Sequence, residues 1–320
     1  MSSPSPPSLH AALSHGQLAF ARGQTDGMTP LPVIGNLAGD LDSLVSAVGL
    51  SYFCASKQPK VLFTPVLPFK RDEFRLRQDA VMLFRYCGFE FDEIGAVAHL
   101  TALDEAGTAA DAWRRGGASV GVALVDHNRI APGTAELLGD TVVMIVDHHA
   151  DESAHVESTT CETPAGATGL DAVKRVRLID GAAGSCCSLV ANLCAEQLHE
   201  APPELLVMLL AVIAVDTRGF DAKELKFSAA DVRAAQRLLC VLGQAVSELP
   251  ADAEPDLVQK QAQALRASAL PDSAGLAGSS TVAELGKALL AARYDVASFS
   301  AYDLLRLDYK QALHNMAHQS

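Results

Sequence analysis

Three apolar runs that each stop at acidic or histidine-bearing residues constrain this chain most. They are LPVIGN (31–36), followed directly by LAGDLDS (37–43), then ASVGVALVDHN (118–128) and TVVMIVDHH (141–149). A short apolar run, rich in Val and Ile and bounded by Gly, Asn or Asp, suits a strand buried on both faces. After the first run, LDSLVSAVGLSYFCA (41–55) carries apolar residues at helical spacing. Strand, tight polar loop and helix make the opening of an α/β unit.

The alternation continues. KVLFTPVL (60–67) reads as a strand and FRLRQDAVMLFRYCG (74–88) as a helix stopped by Gly88. VRLID (176–180) reads as a further strand, and GSCCSLVANLCAEQL (184–198) as a helix with Ser185 near its N-cap. PELLVMLLAVIAVDT (203–217) is a long apolar helix ending at Asp216. Only 5% of the residues are aromatic, while Ala, Val and Leu abound, which fits a Val-rich parallel sheet covered by Ala/Leu-rich helices. The predicted fold class is therefore α/β, a mostly parallel sheet flanked by helices, over residues 31–225. Residues 1–30 open with MSSPSPPSLH and read as a disordered tail. Residues 151–173 lack apolar periodicity and read as a surface loop. Helical patterns at 228–243, 255–270 and 281–293 make 226–300 a helical extension or linker, with PDSAGLAGSS (271–280) as a flexible joint.

Composition excludes several classes. A formal net charge of −13 argues against a broad basic surface for long nucleic acid. It does not exclude a phosphate substrate, because divalent cations reverse the local field of an acidic site. The longest apolar run, LLVMLLAVIAV (205–215), is too short for a membrane span and reads as a core helix. No basic n-region precedes an apolar core at the N-terminus, so no secretory signal is predicted. The seven cysteines show no CxxC or zinc-type spacing and read as reduced thiols. The expected location is cytoplasmic.

Side chains at the carboxyl ends of parallel strands converge on one crevice. Asp40, Asp42, Asp126, His148 and Asp216 would meet there. Mixed carboxylate and imidazole donors suit Mg²⁺ or Mn²⁺, with Co²⁺ or Zn²⁺ as alternatives. Asp126, following a strand, could bridge two such ions. A two-metal site activates water and clamps phosphoryl oxygens during in-line displacement. A lone DxD is usually a turn or cap and a lone DHH is weak; the four segments together carry the argument. His127 either orients Asp126 or faces the site. GAAGSCCS (181–188) opens a helix and either holds phosphate on its backbone N–H groups, around Gly184 and Ser185, or is a plain N-cap.

These segments, GNLAGDLDS, LVDHN, VDHHADE, GSCCSLV and VDT, resemble in order the motifs of the DHH phosphoesterase superfamily. The chain is most similar to its eukaryotic exopolyphosphatase and prune branch, related to family II inorganic pyrophosphatases. Asn36, where pyrophosphatases typically have His, resembles the exopolyphosphatases. The resemblance implies that Asn36, Asp40 and Asp126 surround one metal, and that Asp42, Asp126, His148 and Asp216 hold a second. It implies that His149 faces the substrate phosphate as donor or acid, supported by Asp147. Asn36, Asp126 and His149 are the implied catalytic set. The implied substrate is inorganic polyphosphate or pyrophosphate. Cyclic nucleotides and short oligonucleotides are alternatives, and so is a prune-like binding protein of weak activity. YDLLRLDYK (302–310) resembles the opening of the family's second domain, which supplies Arg and Lys to the polyanion. The end at Ser320 implies that 301–320 is the start of a truncated domain, with only Arg306 and Lys310 in place of that clamp.

Overall fold

The computed structural model of the chain describes residues 9–295, apart from 24, 26, 165 and 272–277. Its first half runs α1 (Leu9–Arg22), β1 (Thr29–Ile34), α2 (Leu41–Lys57), β2 (Val61–Leu67), α3 (Gln78–Tyr86), β3 (Thr101–Ala102), α4 (Leu103–Arg115) and β4 (Val122–Val125). The second half runs α5 (Pro132–Leu138), β5 (Val142–Asp147), α6 (Val156–Thr160), β6 (Val176–Ile179), α7 (Cys186–Leu193), α8 (Pro203–Asp216), α9 (Ala229–Val241), α10 (Pro255–Arg266) and α11 (Val282–Arg293). The strands form one sheet in the order β3-β2-β1-β4-β5-β6, and every pairing is parallel. The predicted α/β class holds.

The period of two along each strand explains the apolar runs. Val33, Phe63, Val125 and Val146 face one side, where α2, α7 and α8 pack. Ile34, Leu62, Leu124 and Ile145 face the other, under α4 and α5. A strand buried on both faces has no polar position to spare. Helix α8 follows the same logic: every residue from Leu205 to Val215 is buried.

The strand order fixes where function can sit. The chain leaves β1 toward β2 and β3, then returns to add β4 on the opposite flank of β1. The β1/β4 boundary is thus a topological switch point, where the two following loops diverge and leave a crevice at the strands' carboxyl ends. Asn36, Asp40 and Asp126 lie in those loops.

Several expectations change. The segment 1–30 is not all tail: α1 docks on the sheet edge, burying Leu9, Leu13 and Phe20. Phe20 stacks edge-on against Trp113 of α4, with ring centroids 4.5 Å apart. That apolar spacing was masked by the Ser/Pro-rich start, of which residues 1–8 lie outside the described residues. The helix expected over 74–88 is broken at Arg77, between a 3-10 turn (Arg71–Leu76) and α3. The segment 151–173 contains α6 and a 3-10 turn at Gly169–Ala172. Helices α9 to α11 share the core of the sheet domain through Val232, Leu238, Val258 and Leu285. Most of the joint at 271–280 and all of 301–320, with Arg306 and Lys310, lie outside the described residues.

Replacing Phe20 with Ala removes a buried ring from the α1–α4 contact. Urea unfolding is expected to show a loss of about 3 kcal/mol; a loss below about 0.5 kcal/mol would mean that α1 does not dock.

Candidate metal centre

The loop after β1 is built around one asparagine. The Asn36 side-chain oxygen accepts from the N–H groups of Ala38 (2.9 Å) and Gly39 (3.3 Å). Its Nδ2 donates to the Asp126 carboxylate at 2.7 Å and to the Asp126 carbonyl at 3.2 Å. The loop turns at Gly39, whose φ is +54°; a Cβ there would lie 2.4 Å from the Phe69 ring. Arg77 stacks on that ring, 3.5 Å from its centroid, and donates to the carbonyls of Ala38 and Gly39. The break at Arg77 thus has a use: it clamps the loop that carries Asp40.

Asp40 caps α2, accepting from the Ser43 N–H at 3.1 Å. Asp42, in the first turn of α2, caps a different helix. It accepts from the N–H groups of Cys186 (2.7 Å) and Cys187 (2.9 Å), and from the Ser185 hydroxyl (3.0 Å). The free N–H groups of the first turn of α7 are thereby satisfied.

Asp126 follows β4 in the left-handed region, with φ +62°, which Asp tolerates better than most side chains. Its Oδ2 accepts from the Ser43 hydroxyl at 2.6 Å as well as from Asn36. Its Oδ1 lies 3.1 Å from His148 Nε2 and 3.7 Å from His149 Nδ1. Burial first, then the charge of Asp40, pushes the Asp126 carboxyl up to about 7.

His148 and His149 follow β5. His148 Nδ1 lies 3.1 Å from the Ala183 carbonyl, so the N–H belongs there and Nε2 is the nitrogen presented to Asp126 and, at 3.5 Å, to Asp42. Burial alone lowers the imidazole, but the hydrogen bond to Asp126 and the charge of Asp42 outweigh it and hold it up to about 11. His149 Nδ1 sits 2.8 Å from Asp147 Oδ1. Burial opposes its protonation and Asp147 restores it, with a net upward shift. Asp147 is fixed in turn by Asn128.

Asp216 ends α8. Its Oδ2 is buried with no hydrogen-bond partner among the described residues. Burial, then the charges of Asp42 and Asp40, raise its carboxyl well above the usual range. A carboxylate at a helix C-terminus also meets the negative end of the dipole. Such a group is stable only as the neutral acid or beside a cation.

One open cavity of about 420 Å³ gathers Asp40, Asp42, Asp126, His148, His149 and Asp216. Asn36 and Gly184 also line it. Ser185, expected at the substrate, does not: it is fully buried and its hydroxyl holds Asp42. His127 also stays outside that lining, with Nδ1 2.9 Å from the carbonyl of Val125. Unforeseen in the sequence are Ser43 and Arg77, which hold the site's loops, and three cations that line the same cavity, Arg218, Lys226 and Arg293. Ser43 lies within the GDLDS motif and carried that much signal. The three cations carried none, since nothing local marks which surface Lys or Arg returns to a distant loop.

The donor set fits divalent cations. Ligand atoms of Asp126, His148 and His149 lie within 4.8 Å of one another, and the unpartnered Asp216 oxygen supplies a free hard donor. Residues 31–215 match the model of the DHH family, N-terminal domain. The chain belongs to the DHH family. It is similar to Exopolyphosphatase PRUNE1 of Bos taurus, 30% identical over 209 residues, which cover 60% of this chain and 37% of that protein. It is also similar to Exopolyphosphatase PRUNE1 of Homo sapiens, 28% identical over 224 residues, which cover 64% of this chain and 40% of that protein. The match thus spans about two-fifths of these relatives. The chain is a DHH phosphoesterase, distantly related to exopolyphosphatases, and no helix among its described residues is long and apolar enough to cross a membrane.

Asp216 also gives a test with opposite signs. The unfolded Asp ionises near its ordinary pKa, while the folded carboxyl resists, so this residue costs the metal-free fold more stability as pH rises. Asp216→Asn is expected to stabilise the metal-free chain by about 1 kcal/mol or more at neutral pH, with less gain near pH 4. The same variant is expected to bind Mn²⁺ at least about tenfold more weakly. Unfolding curves with and without EDTA, and Mn²⁺ calorimetry, read both; a variant that is less stable and binds Mn²⁺ normally would contradict the assignment.

Proposed function

We propose that the chain is an exopolyphosphatase-like, metal-dependent phosphohydrolase that releases terminal phosphate from inorganic polyphosphate. The observation that carries this reading is the pairing, in one cavity, of a buried Asp/His cluster with three cationic side chains. The acids and imidazoles are donors for metal; the cations suit an anion that bridges from the metals outward. The names of the relatives point the same way, and so does Asn36, at a position where the family resemblance implies His in pyrophosphatases. Pyrophosphate is the nearest alternative substrate.

Asp40, Asp42, Asp126, His148 and Asp216 would hold two divalent cations, Mg²⁺ or Mn²⁺. When bound, these supply positive charge that acidifies water and neutralises phosphoryl oxygens. The protein's own part is preorganisation. Asn36 and Ser43 hold one edge of the Asp126 carboxylate and leave its Oδ1 toward the histidines. Asp147 orients His149 and keeps its proton in place, which makes His149 the donor to a phosphoryl or leaving-group oxygen. Asn36 acts through Asp126 and is a positioning residue, because its own oxygen is taken by the loop backbone.

Phosphate release from tripolyphosphate and longer chains, measured with Mg²⁺ or Mn²⁺, tests the reading. The wild-type chain is expected to release phosphate, and Asp126→Ala to reduce the rate more than about 100-fold. Release that is independent of metal or unchanged in Asp126→Ala would overturn it.

A further inference from the structure

Arg293 is the last residue of α11, and its position follows from how that helix packs. Gly286 lets α11 press against the end of α8: a Cβ there would lie 2.3 Å from the Ala214 carbonyl oxygen. Arg293 comes seven residues later, two turns along the same face. Arg293 there lines the same cavity as Asp216, the last residue of α8. Lys or Arg is also favoured at a helix C-terminus, so the residue costs α11 nothing.

The guanidinium is then held from one side only. Its Nε donates to Asp79 Oδ2 of α3 at 2.6 Å. Asp79 is itself buried, its side chain 5% exposed, while Arg293 is 26% exposed and lines the cavity. Nη2 is buried and has no partner among the described residues. Arg293 makes no ion pair with Asp216 or Asp40, but both carboxylates stand near enough to favour its charge. An arginine has five donors in a planar fork that matches phosphate. Here Nε is anchored on Asp79, the neighbouring Nη2 is left unsatisfied, and the side chain lines an acidic, polar cavity. A purely structural tie between α3 and α11 would leave that donor costly and idle.

We propose that Arg293 binds a phosphoryl group of the substrate, with Asp79 as the residue that positions it. The inference rests on the phosphohydrolase reading above and deepens it: the sheet domain with its own helices supplies a phosphate-gripping cation. Arg218 and Lys226, neither paired with a carboxylate among the described residues, widen the positive side of the same cavity.

The test uses the full chain loaded with Mn²⁺, and inorganic phosphate as the probe. Phosphate and Mn²⁺ affinities are measured by calorimetry in wild type, R293K and R293M, alongside kcat and KM for tripolyphosphate. The expected result is phosphate affinity at least tenfold weaker in R293M and about threefold weaker in R293K. Mn²⁺ affinity stays within twofold, and KM rises in the same order. Phosphate affinity unchanged within twofold in folded R293M overturns the proposal. So does a parallel loss of Mn²⁺ affinity, which would make Arg293 a support of the metal centre, and so does wild type that binds no phosphate. If R293M fails to fold by circular dichroism, R293K decides by the same readouts. If wild type binds phosphate through Arg293 but releases none from tripolyphosphate, the proposal stands and the polyphosphate reading fails.

Discussion

The buried charge of Asp126 is the constraint around which the rest of the site is arranged. It lies at the β1/β4 switch point, takes hydrogen bonds from Asn36 and Ser43 on one oxygen, and meets His148 on the other. Asp40 and Asp42 stand close enough to push its ionisation upward. Like charges about 4 Å apart repel by roughly 4 kcal/mol even at a moderately high effective dielectric. No fold holds such a group of carboxylates at neutral pH without protons, cations or both. His148 supplies one positive charge in the metal-free protein. Divalent cations would replace that proton and satisfy the unpartnered Asp216 oxygen as well.

The scaffold tolerates this strain because its central strands and α8 are almost wholly apolar. Strands buried on both faces and the wholly buried α8 make a stiff frame, and every polar group of the site hangs from its edge. The loops are then fixed individually. Arg77 clamps the Asp40 loop from the carbonyl side, the α7 N-terminus holds Asp42, and Asn128 holds Asp147, which in turn aims His149. Loops that carry chemistry are usually the mobile part of a domain; here each is tied back by a side chain from another element.

How much of this the sequence disclosed differs from residue to residue, for physical reasons. Asp126 and His148 were legible because an apolar strand ends just before each of them, and Asp40 because it opens the helix after the first strand; strand ends in a parallel sheet point to one place. Asp216 was legible as the end of an apolar helix, but its missing partner was not. Asn36 was legible as a member of the site, yet its oxygen turned out to serve the loop backbone. Ser185 was read as facing substrate, and packing against Asp42 turned it inward. Helix α1 was hidden by a Ser/Pro-rich start, and α5 by its shortness. Arg293 was beyond reach: a basic residue at a helix end is commonplace, and only the close α8–α11 contact shows where it goes. Long-range placement of single charged side chains depends on packing angles that no local pattern encodes.

Anomalous diffraction at the manganese edge, from crystals of the full chain grown with Mn²⁺, tests the central claim most directly. The account predicts two peaks about 3.5–4 Å apart, both within coordination distance of Asp126, with His148 and Asp216 at one of them. Peaks elsewhere on the surface, or none at a saturating Mn²⁺ concentration, would contradict it.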